Sequence, residues 1–454
     1  MLRTGGSGEA GRETADPAAV VVRGVSIDTR TLVPGNLYVP IIGRRFNGHD
    51  FARQAIERGA SAVLWRRGEP NPPEDVPVLF VEDTLAALQR LAAAYRRRLG
   101  VRVVGVTGSN GKTSVKDMLA AVLGVKYKTQ ATPGNLNNDL GVPLTLLALE
   151  EDTAFAVVEM GMSGLGEIRR LSSLAAPDIA VITSVSEVHL GDLHTRERIL
   201  AAKLEIVEAL RADGLLIHHG DHAPLREALA GMRLPCRRIA FGLGPLNDLR
   251  AERIVVSRAG TAFEAGGASY FLPVSGKHQA VNALAAIAAA RHVGLTEDEI
   301  RAGLSRVRLT GLRTEWVETG SLTVLNDAYK SNPTSVRAAL ELIYELGPYP
   351  QKVAVLGDMV ELGEESAALH REIGEELRPD QLDYVLTIGP EARTIAEAAR
   401  TRFAPDRVIH CADQEELLVA LRRIVRPQAL VLVKGSRYLG LERLVDRLKE
   451  ETVG

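Results

Sequence analysis

Residues 105–114 read GVTGSNGKTS, and the fold of the middle of the chain turns on how this stretch is read. The apolar run VRVV precedes it and a helical pattern follows, so the segment is a strand, a glycine turn and the start of a helix. At such a helix start the free backbone N–H groups and the positive end of the helix dipole favour phosphate oxygens. Gly108, Ser109, Asn110, Gly111, Lys112 and Thr113 form a phosphate loop in a shortened form, with Ser114 carrying it into the helix. Lys112 is placed to reach the outer phosphates of a nucleotide, and the Thr113 hydroxyl to ligate magnesium. A glycine turn that happens to precede a lysine is the ordinary alternative, which the full strand, loop and helix context outweighs.

Outward from the loop, FAVVEMG, PDIAVITSV and GLLIHHG are further apolar runs of buried-strand length separated by helical segments, the pattern of a parallel sheet covered on both faces. Residues 249–276 read as antiparallel ribbons, and HQAVNALAAIAAARHVGL as an alanine-rich helix stopped at Gly294. After GLRTEWVE, the strands SLTVLND, KVAVLGD, DYVLTIG, DRVIHC and ALVLVKGS alternate with helices, which reads as a second doubly wound sheet. Before the loop, short apolar runs surround the helix HDFARQAIERGA and end in TLAALQRLAAAYRRRLG. The expected fold class is therefore α/β in three domains: a small mixed α/β unit over 18–99, a central P-loop ATPase with a parallel sheet over 100–309, and a Rossmann-like unit over 310–454. Residues up to about Pro17, polar and glycine-rich, read as a loose tail.

Composition narrows the function. Lysine plus arginine (55) nearly balances aspartate plus glutamate (57), so no basic field exists to attract nucleic acid or an anionic membrane. Two cysteines, Cys236 and Cys411, far apart in sequence, argue against a disulfide framework or a cysteine metal site and point to the cytoplasm. No run reaches membrane-spanning length. The expected partners are small molecules, and the expected state is a monomer.

Beyond the loop, Glu159 ends the strand FAVVEMG at the carboxyl edge of the sheet, where open α/β sheets bind ligands and a hard magnesium ion seeks oxygen. His189 and Lys203, taken alone, read as a loop histidine and a helix-surface lysine. An ammonium has three donors and no lone pair, so an unmodified Lys203 cannot ligate a metal.

The combination TGSNGKTS, TPGNLNNDLGVPLTLL, VVEMGMSGLGEI, AAKLEI, SGKHQAVNALAA, GLRTEW, NDAYKSNPTS, VLGDMVELGEESAALHREIG and VLVKGS closely resembles the Mur ligase family. Within it, the resemblance is to the branch that adds D-alanyl-D-alanine to UDP-N-acetylmuramoyl-tripeptide, and it runs from about Val25 to about Leu448. The resemblance implies ATP as co-substrate, an acyl-phosphate intermediate, and two magnesium ions held by Thr113, Glu159, His189 and a carbamylated Lys203, a modification that turns a cation into an anionic oxygen ligand. Lys112, Glu159, His189 and Lys203 are thereby the catalytic set. It also implies that Asn282 meets adenine, that Arg313 and Asp327 reach phosphate and ribose, and that the third domain closes over ATP and binds the dipeptide. For the UDP end of the other substrate it implies Ser26, Thr29, Arg30, Asn47, Gly48 and His49, together with Asn135, Asn137 and Asn138 of GNLNN. Asn47 and its neighbours also read as a plain turn and helix cap. Two positions depart from the family pattern: Leu204 stands where glycine usually follows the lysine, and Lys330 replaces an asparagine in NDAYKSNP.

Three rivals remain. The sister ligase adding the third amino acid lacks support because no DNPR-type motif is present, and a folylpolyglutamate synthase would not carry this N-terminal segment. A regulatory or non-catalytic nucleotide-binding module would keep Lys112 and Glu159 and leave Lys203 idle.

Overall fold

The computed structural model describes residues 20–311 and 313–450, so the tail reading lies outside the described residues. Four parallel strands open the chain, in the order Gly24–Ser26, Asn36–Tyr38, Ala62–Arg66 and Val78–Val81. The helix Thr84–Arg98, capped by the Asp83 carboxylate on the Ala86 N–H, leads out of this sheet.

The central sheet has seven parallel strands. Their order is Leu249–Arg250, Arg237–Gly242, Leu215–His219, Ile179–Ile182, Arg102–Thr107, Phe155–Glu159 and Thr129–Ala131. Alternate residues of one strand enter opposite cores: Val104 and Val106 pack with the phosphate-loop helix residues Val115 and Leu119, while Val103 packs with Ala156, Val158 and Ile168. That two-sided burial is why these strands read as continuous apolar runs. The helix Lys277–His292 is buried almost all round, which accounts for its run of alanines: small side chains let it lie close against the helix Lys112–Leu123.

The sequence reading of 249–276 needs one correction. Only Glu252–Ser257, Gly260–Ala265 and Ala268–Leu272 form the antiparallel ribbon. Leu249–Arg250 instead joins the central sheet in parallel with Phe241–Gly242, because Leu249 is apolar and feeds the core beside Phe241.

The last sheet runs Glu315–Thr319, Leu322–Asp327, Leu430–Lys434, Lys352–Gly357, Tyr384–Ile388 and Val408–Cys411. All are parallel except the first, an antiparallel edge strand that the sequence reading did not count among the strands. Its sequence sets Trp316 beside Val317 and so shows no apolar–polar alternation, which hid it, although in the fold Val317 and Thr319 are buried and Trp316 and Glu318 less so. The carboxyl ends of the central and last sheets face one another across the site. Among the described residues no helix is long and apolar enough to cross a membrane.

Candidate functional site

Between these two sheet edges lies a cavity of about 880 Å³. The phosphate loop forms its floor, docked on the segment after Ile179–Ile182: Ser109 N–H donates to the Ser184 carbonyl (2.9 Å) and Asn110 N–H to the Ser184 hydroxyl (2.8 Å). Two glycines are required there. Gly108 has φ 147, and a Cβ on it would lie 2.1 Å from Thr183 Oγ1; Gly111 has φ 82, and a Cβ would lie 2.6 Å from Asn282 Oδ1. Lys112 donates to the carbonyls of Gly108 (2.7 Å) and Ser109 (3.2 Å), curled over its own loop. Burial, helped by the nearby Lys330 charge, brings its ammonium down to about 8. Thr113 and Ser114 are buried in the first helical turn. The Asn110 side chain turns away from the loop and forms a reciprocal amide pair with Asn332 (2.8 and 3.1 Å), the N-cap of the helix Pro333–Glu345 in the C-terminal domain.

Polar atoms without protein partners occur on Glu159, which lines the cavity, and on Lys203, which is buried and does not line it. Glu159 is buried at its strand end; Oε1 accepts from Asn137 Nδ2 (2.7 Å), and Oε2 has no partner. Lys203 is fully buried and its Nζ has no partner. The reading of Lys203 as a surface lysine is thus overturned: it lies one helical turn from buried Ile199 and beside buried Ala202, on the inner face of Arg196–Leu204. Burial first, then the charges of Lys112 and Lys330, holds its amine well below the usual lysine range. Leu204 packs against the hydrophobic core next door, which accommodates the departure from glycine.

His189 sits in the left-handed region (φ 68) ahead of the short helix Leu190–Leu193. Its Nδ1 lies 3.0 Å from Glu361 Oε2, close enough for an ion pair yet out of line for a hydrogen bond. Burial lowers the imidazole pKa, with Glu361 opposing. Burial also works against ionisation of Glu361, and the His189 ring and Lys330 more than offset it, bringing the carboxyl down to about 2.

At the other end of the cavity, Asn282 bonds Gln279 (3.2 Å) beside the loop, with His278 next to it. Arg313 stacks over the Tyr329 ring (4.2 Å) and donates to the Thr310 carbonyl, while Asp327 pairs with buried Lys434 (2.7 Å). His278, Tyr329, Glu361 and Lys434 were not singled out from the sequence, although each lies in a quoted motif; a lysine closing an apolar strand at a sheet's carboxyl edge is the signal that could have raised Lys434.

Asn135, Asn137 and Asn138 also line the cavity, whereas the N-terminal candidates stand elsewhere. Asn135 bonds the Tyr329 hydroxyl (2.8 Å), and Asn138 Oδ1 accepts from the Gly141 N–H (2.9 Å) at the start of the helix Gly141–Leu147. The N-terminal set does not line this cavity. Ser26 Oγ bonds the Asp28 carbonyl, Thr29 bonds Gln54 (2.7 Å), and exposed Arg30 pairs with Asp28 (2.6 Å). Asn47 caps His49, whose ring stands edge-on to Trp65 (4.6 Å) and accepts from Arg66 N–H, while the Gly48 carbonyl accepts from Tyr38.

Comparison with known proteins agrees along the chain. Family models match residues 21–96 (Mur ligase family, catalytic domain), 106–290 (Mur ligase middle domain) and 312–437 (Mur ligase, glutamate ligase domain). The UDP-N-acetylmuramoyl-tripeptide–D-alanyl-D-alanine ligase of Bacillus subtilis (strain 168) is 46% identical over 433 residues, 95% of this chain and 94% of that one. Among solved structures, MurF from Acinetobacter baumannii superposes with a TM-score of 0.85 at 31% identity, covering 94% of both chains. MurF from Thermotoga maritima, in complex with ADP, gives 0.84 at 28% identity over 96% of this chain and 99% of that one.

Proposed function

The chain belongs to the Mur ligase family, and from that premise we propose how its own residues serve the ligation carried out by its relatives. The protein is an ATP-dependent ligase that joins D-alanyl-D-alanine to UDP-N-acetylmuramoyl-tripeptide in peptidoglycan synthesis. Joining a carboxylate to an amine in water is uphill, so ATP first converts the terminal carboxylate of the tripeptide into an acyl phosphate. Lys112 and the loop N–H groups hold the γ-phosphate and neutralise charge as the carboxylate oxygen attacks phosphorus and ADP departs. The dipeptide amine then attacks the acyl carbon, phosphate leaves, and the amine proton is released. The facing walls of the central and C-terminal domains keep water from the acyl phosphate.

The observation that carries this reading is that Glu159 Oε2 and Lys203 Nζ are both buried without a hydrogen-bond partner, with His189 close enough to feel the Lys203 charge. Such atoms are costly unless something meets them. They suit two magnesium ions held by Thr113, Glu159, His189 and Lys203. When bound, these ions neutralise phosphate oxygens that would otherwise repel the attacking carboxylate. Lys203 contributes only as a carbamate, formed when its neutral amine bonds the carbon of CO₂ and releases a proton; burial favours that neutral amine.

Asn282 then serves adenine, Arg313 phosphate and Asp327 ribose. Ser26, Thr29, Arg30, Asn47, Gly48 and His49, with Asn135 and Asn138, serve the UDP-linked substrate. ATP supply places the reaction in the cytoplasm. Phosphate release that requires both the UDP-tripeptide and D-alanyl-D-alanine is the expected result; ATP turnover indifferent to either one would refute the ligase reading. Supplying UDP-tripeptides ending in lysine or diaminopimelate in turn identifies the acceptor.

A further inference from the structure

Glu361, in the segment VLGDMVELGEES, has no role in the mechanism above, yet it closes a seam between the central and C-terminal domains. It adopts φ 68, and its carbonyl accepts the Gly191 N–H (2.9 Å). Just beyond it, a Cβ on Gly363 would lie 2.9 Å from Gly191 Cα, so the two backbones touch. Arg196 and Glu365 pair along the same seam (2.8 Å). The Glu361 carboxylate turns back toward His189, 3.0 Å from Nδ1, and its Oε2 also accepts from Lys330 Nζ (3.1 Å). Glu361 and His189 are therefore two non-glycine residues in the left-handed region, facing each other across a domain boundary. Strain of that kind, of order 1–3 kcal/mol for each residue, persists only where the surroundings enforce it, and it clusters at functional sites.

We propose that Glu361 is the positioning carboxylate of the metal site: it orients the His189 imidazole so that Nδ1–H faces the carboxylate and the Nε2 lone pair faces the metal, and Lys330 anchors Glu361 in that place. The inference rests on the reading of His189 as a metal ligand. A ligating histidine commonly gives its other ring N–H to a carboxylate, which fixes the tautomer and raises the basicity of the ligating nitrogen. Here the carboxylate belongs to the C-terminal domain, so the histidine is oriented only when that domain is closed. Metal binding and closure are thereby coupled through one side chain. The departure at Lys330 gains a reason: a cation there holds a carboxylate that an asparagine would hold more weakly.

The test uses the full-length protein with bicarbonate, a non-hydrolysable ATP analogue and UDP-tripeptide, with Mn²⁺ as the probe and its binding followed by electron paramagnetic resonance. The wild type is expected to bind two Mn²⁺ per chain. Glu361→Gln, nearly isosteric, is expected to keep the wild-type melting temperature and to weaken one of the two sites about 10–100-fold. Lys330→Asn weakens the same site several-fold, and Glu361→Asp partly restores it. His189→Ala removes that site, and adding Glu361→Gln to it costs nothing further. If Glu361→Gln binds both Mn²⁺ ions as tightly as wild type while ligation falls, the carboxylate is only a domain latch and the proposal is overturned. A wild type that binds one Mn²⁺ sinks instead the two-metal reading beneath it.

Discussion

The candidate metal site of the central domain and the candidate substrate loop of the N-terminal domain are both rich in polar side chains, and they differ in whether those side chains are already engaged. Glu159 Oε2 and Lys203 Nζ are buried with no hydrogen-bond partner in the protein, and His189 Nδ1 has only carboxylates beside it. Thr29, Arg30, Asn47 and His49 each have protein partners. A buried polar atom without a partner costs free energy unless a ligand, an ion or water meets it, so the first region suits a bound group. The second folds as a finished scaffold and can meet a ligand only with what remains exposed, chiefly the far side of Arg30.

The largest test of this contrast is Lys203→Ala, expected to cost ligation on the order of a thousandfold and to be partly rescued by a small carboxylate. Full activity without additive would erase the distinction between the two regions. His49→Ala should act in the opposite manner. It removes the ring packed on Trp65 and the acceptor for Arg66 N–H, and should lower stability by about 2 kcal/mol in urea unfolding while leaving the KM for ATP unchanged. Asn332→Ala removes a helix N-cap and the amide pair with Asn110, costing about 1 kcal/mol of stability and raising the KM for ATP a few-fold. Loss of stability with no change in that KM would show that the amide pair does not transmit to the phosphate loop. Arg30→Ala should leave the melting temperature unchanged, since exposed ion pairs contribute little, and raise the KM for the UDP-tripeptide several-fold.

The finest test concerns protons. Burial and the Lys330 charge bring the Lys112 pKa down to about 8, so near pH 9 the amine is expected to be mostly neutral. A bound triphosphate favours the ammonium and raises that pKa, so binding takes up a fraction of a proton between the two values. Calorimetry in two buffers of different ionisation enthalpy should show the uptake, and Lys112→Met should abolish it. Buffer-independent heats in the wild type would refute the expected shift.

Much of the site was legible along the chain because its chemistry is local. The phosphate loop needs only a strand, two glycines, a lysine and a hydroxyl in succession, and Glu159 needs only to end a buried strand. Lys203 was not legible in this way: nothing in AAKLEI says which face of the helix is buried, and only the packing of its neighbours Ile199, Ala202 and Ile206 into the adjoining core decides it. The edge strand Glu315–Thr319 was missed for a related reason, since its pairing with Leu322–Asp327 does not require a clean alternation of its own.

What the sequence determined by itself was the set of local structures and their order: three α/β units, the glycine loop in the central one whose pattern suits phosphate, and the family the motifs resemble. Periodicity, turn chemistry and helix capping act over a few residues, so they can be read without knowing where the chain goes next. What only the tertiary structure decided was which groups meet: Asn110 with Asn332, 222 residues apart, and Glu361 of one domain with His189 of another. Those meetings depend on how two sheets are set edge to edge, and no short stretch of sequence encodes that placement.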